Sequence, residues 1–147
     1  MESPHSLEVS LKSLEKIAQK VAGKSYKIVS KSLNKRVDST TKFCTFVNSA
    51  ANGLLQEEGF PSEYIEYENP NDRGLPSHAF IRIIDTSSQI LIDFQYKQYV
   101  SEELQKRVPD SMIVFYNSKD ELDAGLSSHK IEPQYFHKWI EELFWNR

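Results

Sequence analysis

The apolar positions of the chain fall into periodic segments, and these segments predict the elements of the fold. The first segment follows Ser6, a candidate N-cap, and ends at Gly23, where a helix would stop. Its apolar residues at helical spacing are Leu7, Leu11, Leu14, Ala18 and Val21. The polar stretch from Ser25 to Val37 is expected to be irregular, apart from a short strand at Tyr26 to Ser30.

A second helix is predicted from about Lys42 to Glu58. Its apolar residues again repeat with a helical period: Phe43, Phe46, Val47, Ala50, Ala51, Leu54 and Leu55. Thr40 or Thr41 is the expected cap at its start. The run from Gly59 to Pro61 marks its end, because glycine adopts the left-handed conformation and proline cannot continue a helix.

Cys44, the only cysteine of the chain, falls in the first turn of this second helix. Unpaired backbone N–H groups and the positive end of the helix dipole favour a thiolate there. A lone cysteine is also often a small buried hydrophobic residue, and for Cys44 taken alone that alternative is favoured. Its role therefore depends on which residues accompany it.

Two segments of alternating apolar and polar residues, His78 to Ile83 and Ile90 to Gln95, predict a β-hairpin with a turn at Asp85 to Ser88. Further strands are expected at Tyr64 to Tyr67 and at Met112 to Tyr116. The strands are short and joined by turn residues, which is typical of a small antiparallel sheet.

The register of this hairpin predicts that its polar residues share one face. A turn centred between residues 86 and 87 sets His78 opposite Gln95 and Phe80 opposite Asp93. Because side chains alternate along a strand, His78, Asp93 and Gln95 then project from the same side, with Asp93 diagonal to His78. The other face is expected to pack as core, through Ala79, Ile81, Ile83, Ile92 and Phe94.

Two more helices are predicted near the end of the chain. One begins at Asn117 or Ser118, and the other begins at Pro133. The apolar face of the last helix is Phe136, Trp139, Ile140, Leu143 and Phe144. No repeat or linker divides the chain, so we predict one α+β domain over residues 1–147, with the helix of Cys44 packed on the sheet.

The composition is that of a globular protein, with 39% hydrophobic and 27% charged residues. No apolar run approaches the roughly 18 residues of a membrane span, so no membrane span is expected. The start of the chain shows neither a basic region nor an apolar signal core. We therefore expect a cytoplasmic protein, or one exported without a cleavable signal, as a secreted effector would be.

The charge is divided unevenly along the chain. Residues 1–43 hold nine Lys and Arg against four Asp and Glu, and the remainder holds nine against seventeen. Lys12, Lys16 and Lys20 recur every fourth residue, which suits either a solvated helix face or a strip for an acidic partner or a membrane surface. The solvated face is the favoured interpretation. No aromatic residues interleave with these lysines, so nucleic acid is not an expected partner.

Cys44, His78 and Asp93 together predict a catalytic triad. A cysteine nucleophile needs an adjacent base, and the base needs a third group that fixes its tautomer and orientation. The alternative is a structural cysteine and an unrelated surface pair. Candidates for oxyanion or substrate contacts are Asp38, Ser39, Gln95 and Phe80, together with backbone N–H groups before the cysteine.

Three segments carry a resemblance to the papain-like and transglutaminase-like cysteine enzymes: CTFVNSAANGLLQEEGF from residue 44, SHAFIRI from 77 and LIDFQYKQY from 91. The resemblance covers about residues 40–100. It implies a papain-like or transglutaminase-like fold, with Cys44 as nucleophile, His78 as general acid and base, and Asp93 as the group that orients the histidine.

Several motifs of that superfamily differ here. Papain-type proteases carry a glutamine six residues before the nucleophile, where this chain has Asp38, and no glycine or tryptophan flanks Cys44. The Arg-Gly-Gly motif of the arylamine acetyltransferases is missing too. What remains resembles the compact bacterial protein-glutamine deamidases and transglutaminase-like hydrolases.

The sequence therefore predicts a cysteine-dependent amide hydrolase that acts through a thioester, in the manner of a protein-glutamine deamidase of bacterial effector type. Its substrate would be a protein or peptide, through a glutamine side chain, and no cofactor or metal is expected. The alternatives are a transglutaminase-like cysteine peptidase and a catalytically silent module. The silent module would bind a protein through the basic first helix or through the loop Asn69 to Ser77.

Overall fold

The computed structural model describes residues 10–39, 41, 43–67, 78–83 and 89–130, and in these ranges it leaves five side chains undescribed: Cys44, Tyr67, His78, Gln98 and Tyr99. The helices in these ranges are α1 (Leu11–Leu33), α2 (Cys44–Glu57), α3 (Glu102–Gln105) and α4 (Lys119–Ser128), with a 3₁₀ helix at Tyr96–Tyr99. The strands are β1 (Ser62–Tyr67), β2 (His78–Ile83), β3 (Gln89–Asp93) and β4 (Met112–Tyr116). The class is α+β.

The four strands form an antiparallel sheet in the order β1-β2-β3-β4, and both of its faces are covered. Ile81, Ile83, Ile90 and Ile92 pack against apolar residues of α1 and α2. The opposite face packs through Leu91 and Val114 against Leu122 and Leu126 of α4. Because α1 and α4 lie on opposite faces, the molecule has three layers, with the sheet in the middle.

Helix α1 differs from the prediction. It begins after Ser10, whose side chain accepts a hydrogen bond from the Ser13 N–H, and it continues through Gly23 to Leu33. The expected strand at 26–30 is therefore helical, and the expected cap Ser6 lies outside the described residues. The stripe of buried residues explains the difference, because it runs on at helical spacing: Leu14, Ala18, Val21, Ala22, Ser25 and Val29. Packing of that stripe outweighs the cost of about 1 kcal/mol for one helical glycine.

Helix α2 confirms the predicted end and corrects the predicted start. Gly59 has a φ of 94°, and the N–H groups of Gly59 and Phe60 donate to the carbonyls of Gln56 and Leu55, both at 3.0 Å. This is the paired hydrogen bonding of a Schellman motif. At the start, the N-cap is Phe43 rather than a threonine, and Thr41 hydrogen-bonds the backbone of Asp38 instead.

The predicted hairpin register is confirmed. Ile81 pairs with Ile92 and Ile83 pairs with Ile90, which is the register that sets Phe80 opposite Asp93. Strand β4 and the helix start at Ser118 also match, since the Ser118 hydroxyl accepts from the Glu121 N–H. The predicted hairpin turn, the loop at 69–77 and the last helix lie outside the described residues.

None of the helices in the described ranges combines the length and the apolar character that crossing a bilayer requires.

Gly125 allows α4 to lie close to β4. A Cβ built on Gly125 would overlap Cγ1 of Val114. Gly125→Ala should therefore lower the free energy of unfolding by about 1–3 kcal/mol, although alanine is the better helix former. Urea unfolding measures the change. The matched control is Gly23→Ala in α1, where a Cβ meets nothing within 4 Å and a gain of about 0.5–1 kcal/mol is expected. Equal gains in both variants would contradict the close contact.

Candidate functional site

Asp93, the last residue of β3, is a fully buried carboxylate. Its Oδ1 accepts a hydrogen bond of 2.8 Å from the backbone N–H of Gln95 and one of 3.2 Å from Nδ2 of Asn48. Carboxylates are rarely buried without such partners, because removing the charge from water is costly. These two bonds fix the carboxylate at the end of the strand.

Asn48 of α2 joins the two central strands at the point where their pairing ends. In the observed register, the pair two residues beyond Ile81 and Ile92 would be Ala79 and Phe94. The side-chain amide of Asn48 bridges these two residues, since Nδ2 donates to the Ala79 carbonyl at 3.0 Å and Oδ1 accepts from the Phe94 N–H at 3.1 Å. The fully buried side chain thus takes the place of a ladder hydrogen bond and ties α2 to both strands.

Gln95 ties the end of β3 to the turn that leads into α2. Its Nε2 donates to the Asp38 carbonyl at 2.6 Å and to the Phe94 carbonyl at 3.2 Å. Its Oε1 accepts from the backbone N–H of Phe43 at 3.4 Å. The side chain is fully buried, so these backbone contacts position the residue immediately before Cys44.

A second anchor holds the same turn from the other side. The Ser39 hydroxyl donates to Oδ1 of Asp110 at 3.0 Å, and Nζ of the buried Lys97 contacts the same oxygen at 2.8 Å. The hydrogen bond from Lys97 lowers the pKa of the Asp110 carboxyl, and the bond from Ser39 adds to this effect. Asp110 therefore stays ionised at neutral pH and keeps Ser39 in place.

Two tyrosines support this region, Tyr96, which is fully buried, and Tyr26, which is partly buried. The Tyr26 hydroxyl donates to the Phe94 carbonyl at 3.1 Å, and the Tyr96 hydroxyl donates to the Pro109 carbonyl at 2.5 Å. Burial raises the pKa of both hydroxyls, and nearby carboxylates add to the shift. Both tyrosines remain neutral hydrogen-bond donors at physiological pH.

The structure places the backbones of the two remaining triad candidates at element starts. Cys44 is the first residue of α2, and His78 is the first residue of β2, next to the strand that ends at Asp93. Cys44 and Asn48 are four residues apart on one helix, which puts them on the same helical face. The side chains of Cys44 and His78 are outside the described part of the structure, so the triad contacts themselves stay a prediction.

The four residues that the sequence suggested for oxyanion or substrate contacts lie in different parts of the structure. Asp38 and Gln95 meet beside the start of α2, and Ser39 lies next to them on the Asp110 anchor. Phe80 is fully buried in the apolar cluster on the α4 face of the sheet. The structure thus brings Asp38, Ser39, Gln95 and Asp93 into one connected polar region and sets Phe80 in the core.

Sequence reasoning missed Asn48, Lys97 and Asp110. One signal for Asn48 was available, because it interrupts the apolar face of α2 between Val47 and Ala51. A polar side chain at a core position needs hydrogen-bond partners, so such a residue in an apolar helix face indicates a buried polar contact. The Lys97–Asp110 pair left no comparable signal, since both residues lie in polar stretches.

A cavity of about 640 Å³ lies between α1 and residues 109–113. Tyr26, Asp110 and His129 are among its lining residues. Asp93, Asn48 and Gln95 are not among the described residues that line it. The cavity is therefore adjacent to the Asp110 anchor and separate from the Asp93 carboxylate.

Comparisons of this chain with family models, with curated proteins and with solved structures find no match.

Proposed function

We propose that this protein is a cysteine-dependent amide hydrolase in which Cys44 is the nucleophile, His78 the general base and Asp93 the group that orients the histidine. One observation carries the proposal. The buried Asp93 carboxylate lies on the strand beside the one that begins at His78, and it is hydrogen-bonded through Asn48 to the helix that begins at Cys44.

In this proposal the reaction has two steps, formation of a thioester on Cys44 and its hydrolysis. His78 accepts the thiol proton, the Cys44 sulfur attacks the amide carbon, and the amine or ammonia leaves with a proton from His78, which forms a thioester. Water then attacks the thioester, His78 takes a proton from it, and the acid product leaves as the thiol is restored. Unpaired N–H groups in the first turn of α2 suit the negatively charged oxygen of each tetrahedral intermediate.

Gln95 acts in this proposal as a positioning residue. Both ends of its amide bond the backbone of the turn before Cys44, at Asp38 and Phe43. These contacts hold the helix start in place for the attacking sulfur. Ser39 has the same role through Asp110.

We propose a glutamine carboxamide on a protein as the substrate, with ammonia as the first product. The support is the resemblance of residues 44–60, 77–83 and 91–99 to the compact bacterial deamidases. Transfer of the same thioester to an amine would be transglutamination, and water access to the thioester decides between the two outcomes.

The test is the rate of Cys44 alkylation by iodoacetamide between pH 5 and pH 9, in the wild type and in His78→Ala. An ordinary thiol, with a pKa near 8.5, is less than about 1% ionised at pH 6 and reacts slowly. A thiolate paired with an imidazolium is mostly ionised there. We therefore expect wild-type alkylation at pH 6 to be about 100-fold faster than alkylation of His78→Ala.

The matched control is His129→Ala, because His129 hydrogen-bonds the Gly125 carbonyl and lies edge-on to Tyr96, on the α4 side of the sheet. This variant should keep the fast reaction at pH 6. Circular dichroism verifies that each variant is folded. A wild-type thiol that reacts only on unfolding would overturn the proposed enzyme, and fast alkylation in His78→Ala would overturn the assigned base.

A further inference from the structure

Helix α1 carries a row of lysines much longer than the three that the sequence pattern singled out. We call it the lysine face, and it consists of Lys12, Lys16, Lys20, Lys24, Lys27 and Lys31, all of which are exposed. At 100° per residue these six positions fall within a sector of about 120°. The buried stripe of the helix occupies the opposite side and packs in the core.

The lysine face extends along most of α1. From Lys12 to Lys31 the helix rises about 28 Å at 1.5 Å per residue. Glu15 is the only acidic residue within α1, and among the described residues Lys20 is the one lysine of the six in an ion pair, with Glu58 at 2.6 Å. Most of the positive charge is therefore available to an external partner.

Helix α4, in the opposite layer, carries Asp120, Glu121 and Asp123 against one basic residue, Lys119. It packs on the sheet face that α1 does not contact. A protein of net charge −3 would be repelled by an anionic surface if its charge were spread evenly. Because α1 holds six lysines and one glutamate, its side of the molecule is attracted to such a surface although the whole chain is negative.

We propose that the lysine face docks the protein on the surface of a bilayer that contains anionic lipids. Clusters of four to eight basic residues on an amphipathic helix are typical of binding to anionic headgroups, at about 1 kcal/mol for each lysine near the surface. A row of lysines about 28 Å long on one side of a helix can contact several headgroups of a bilayer at once. Nucleic acid is the poorer match, since arginine forks and stacking aromatic residues are missing from this face.

Ile28 adds an apolar contact at the edge of the lysine face. Its side chain is 50% exposed, and Leu11 and Phe46 are the other large hydrophobic residues exposed in the described ranges. Ile28 lies one turn from both Lys24 and Lys31 on the helix surface. Such a residue can enter the headgroup region while the lysines bind the lipid charges. This inference is independent of the proposed chemistry at Cys44.

The experiment is co-sedimentation of the full chain with phosphatidylcholine vesicles, with and without phosphatidylserine. The test variant is Lys16→Glu/Lys24→Glu/Lys27→Glu. The matched control, Lys106→Glu/Arg107→Glu/Lys130→Glu, makes the same charge change at exposed positions outside α1. Three reversals should weaken binding to phosphatidylserine vesicles by at least about 100-fold, and the control variant should bind within a few-fold of the wild type. Added salt should weaken wild-type binding.

Several results would overturn the proposal. These are no wild-type binding to phosphatidylserine vesicles, equal binding to vesicles without it, or an equal loss in the control variant. The protein could instead bind DNA or polyglutamate through the lysine face and fail to bind vesicles. That result would assign the surface to another partner. The triple Lys→Gln variant at the same positions guards against misfolding, since glutamine is a good helix former.

Discussion

Asn48→Ala should lower the free energy of unfolding by about 3–5 kcal/mol, the largest loss expected from one buried polar side chain in the described fold. The change removes three hydrogen bonds, to the Ala79 carbonyl, the Phe94 N–H and the Asp93 carboxylate. Two buried backbone groups are left without this partner, and a buried charge loses part of its stabilisation. Each such group costs about 1–3 kcal/mol. Urea unfolding followed by circular dichroism measures the difference.

Two comparison variants separate this effect from a simple loss of side-chain volume. Asn52→Ala lies on the same helix and removes a single bond, from the Ser62 hydroxyl at 2.6 Å, so about 1 kcal/mol is expected. Asn48→Asp keeps the shape but cannot donate to Ala79 or Asp93 when ionised. It should be at least as destabilising as the alanine variant. A loss below about 1 kcal/mol in Asn48→Ala would contradict the bridging geometry.

Asp93→Asn should lower turnover by about 10³–10⁴-fold while leaving the protein folded. An asparagine Oδ1 can still accept the hydrogen bonds from Gln95 and Asn48 that Asp93 accepts now. Asparagine cannot stabilise an imidazolium, and it favours the wrong histidine tautomer. Replacing a triad carboxylate by the amide lowers turnover by about 10⁴-fold in a serine protease, which sets the expected size of the loss. Release of ammonia from a glutamine-bearing peptide measures the rate.

The alkylation rate of Cys44 at pH 6 gives a second measure of Asp93→Asn that needs no substrate. The rate should fall toward that of His78→Ala. Asp120→Asn, at an exposed carboxylate of α4, serves as the control and should leave both rates unchanged. If Asp93→Asn alkylates at the wild-type rate, Asp93 would have only its structural role at the end of β3.

Local sequence patterns predicted the parts of the fold that depend on neighbouring residues. The register of β2 and β3 followed from the turn position and from alternation. The end of α2 followed from a glycine in the left-handed conformation. The residues that determine these two features are close together in the sequence, so the features can be predicted from the local pattern.

Long-range packing determined what the sequence did not reveal. Gly23 is a stop signal locally, yet α1 continues because its buried stripe extends to Val29 against the second helix and the sheet. The bridge at Asn48 depends on residues 31 and 46 positions away in the chain. Of the candidate site, the sequence indicated Asp93 and Gln95, and it missed Asn48, which connects Asp93 to α2.

Because of the bridge at Asn48, hydrogen exchange at one backbone amide reports on movement of α2 away from the sheet. The Phe94 amide hydrogen is bonded to a side chain of α2 rather than to a neighbouring strand. Its exchange with deuterium therefore requires α2 to separate from the sheet, whereas ladder amides of β3 remain protected as long as the strands stay paired. Comparing the exchange of Phe94 with that of Ile92 distinguishes opening of the helix start at Cys44 from unfolding of the sheet.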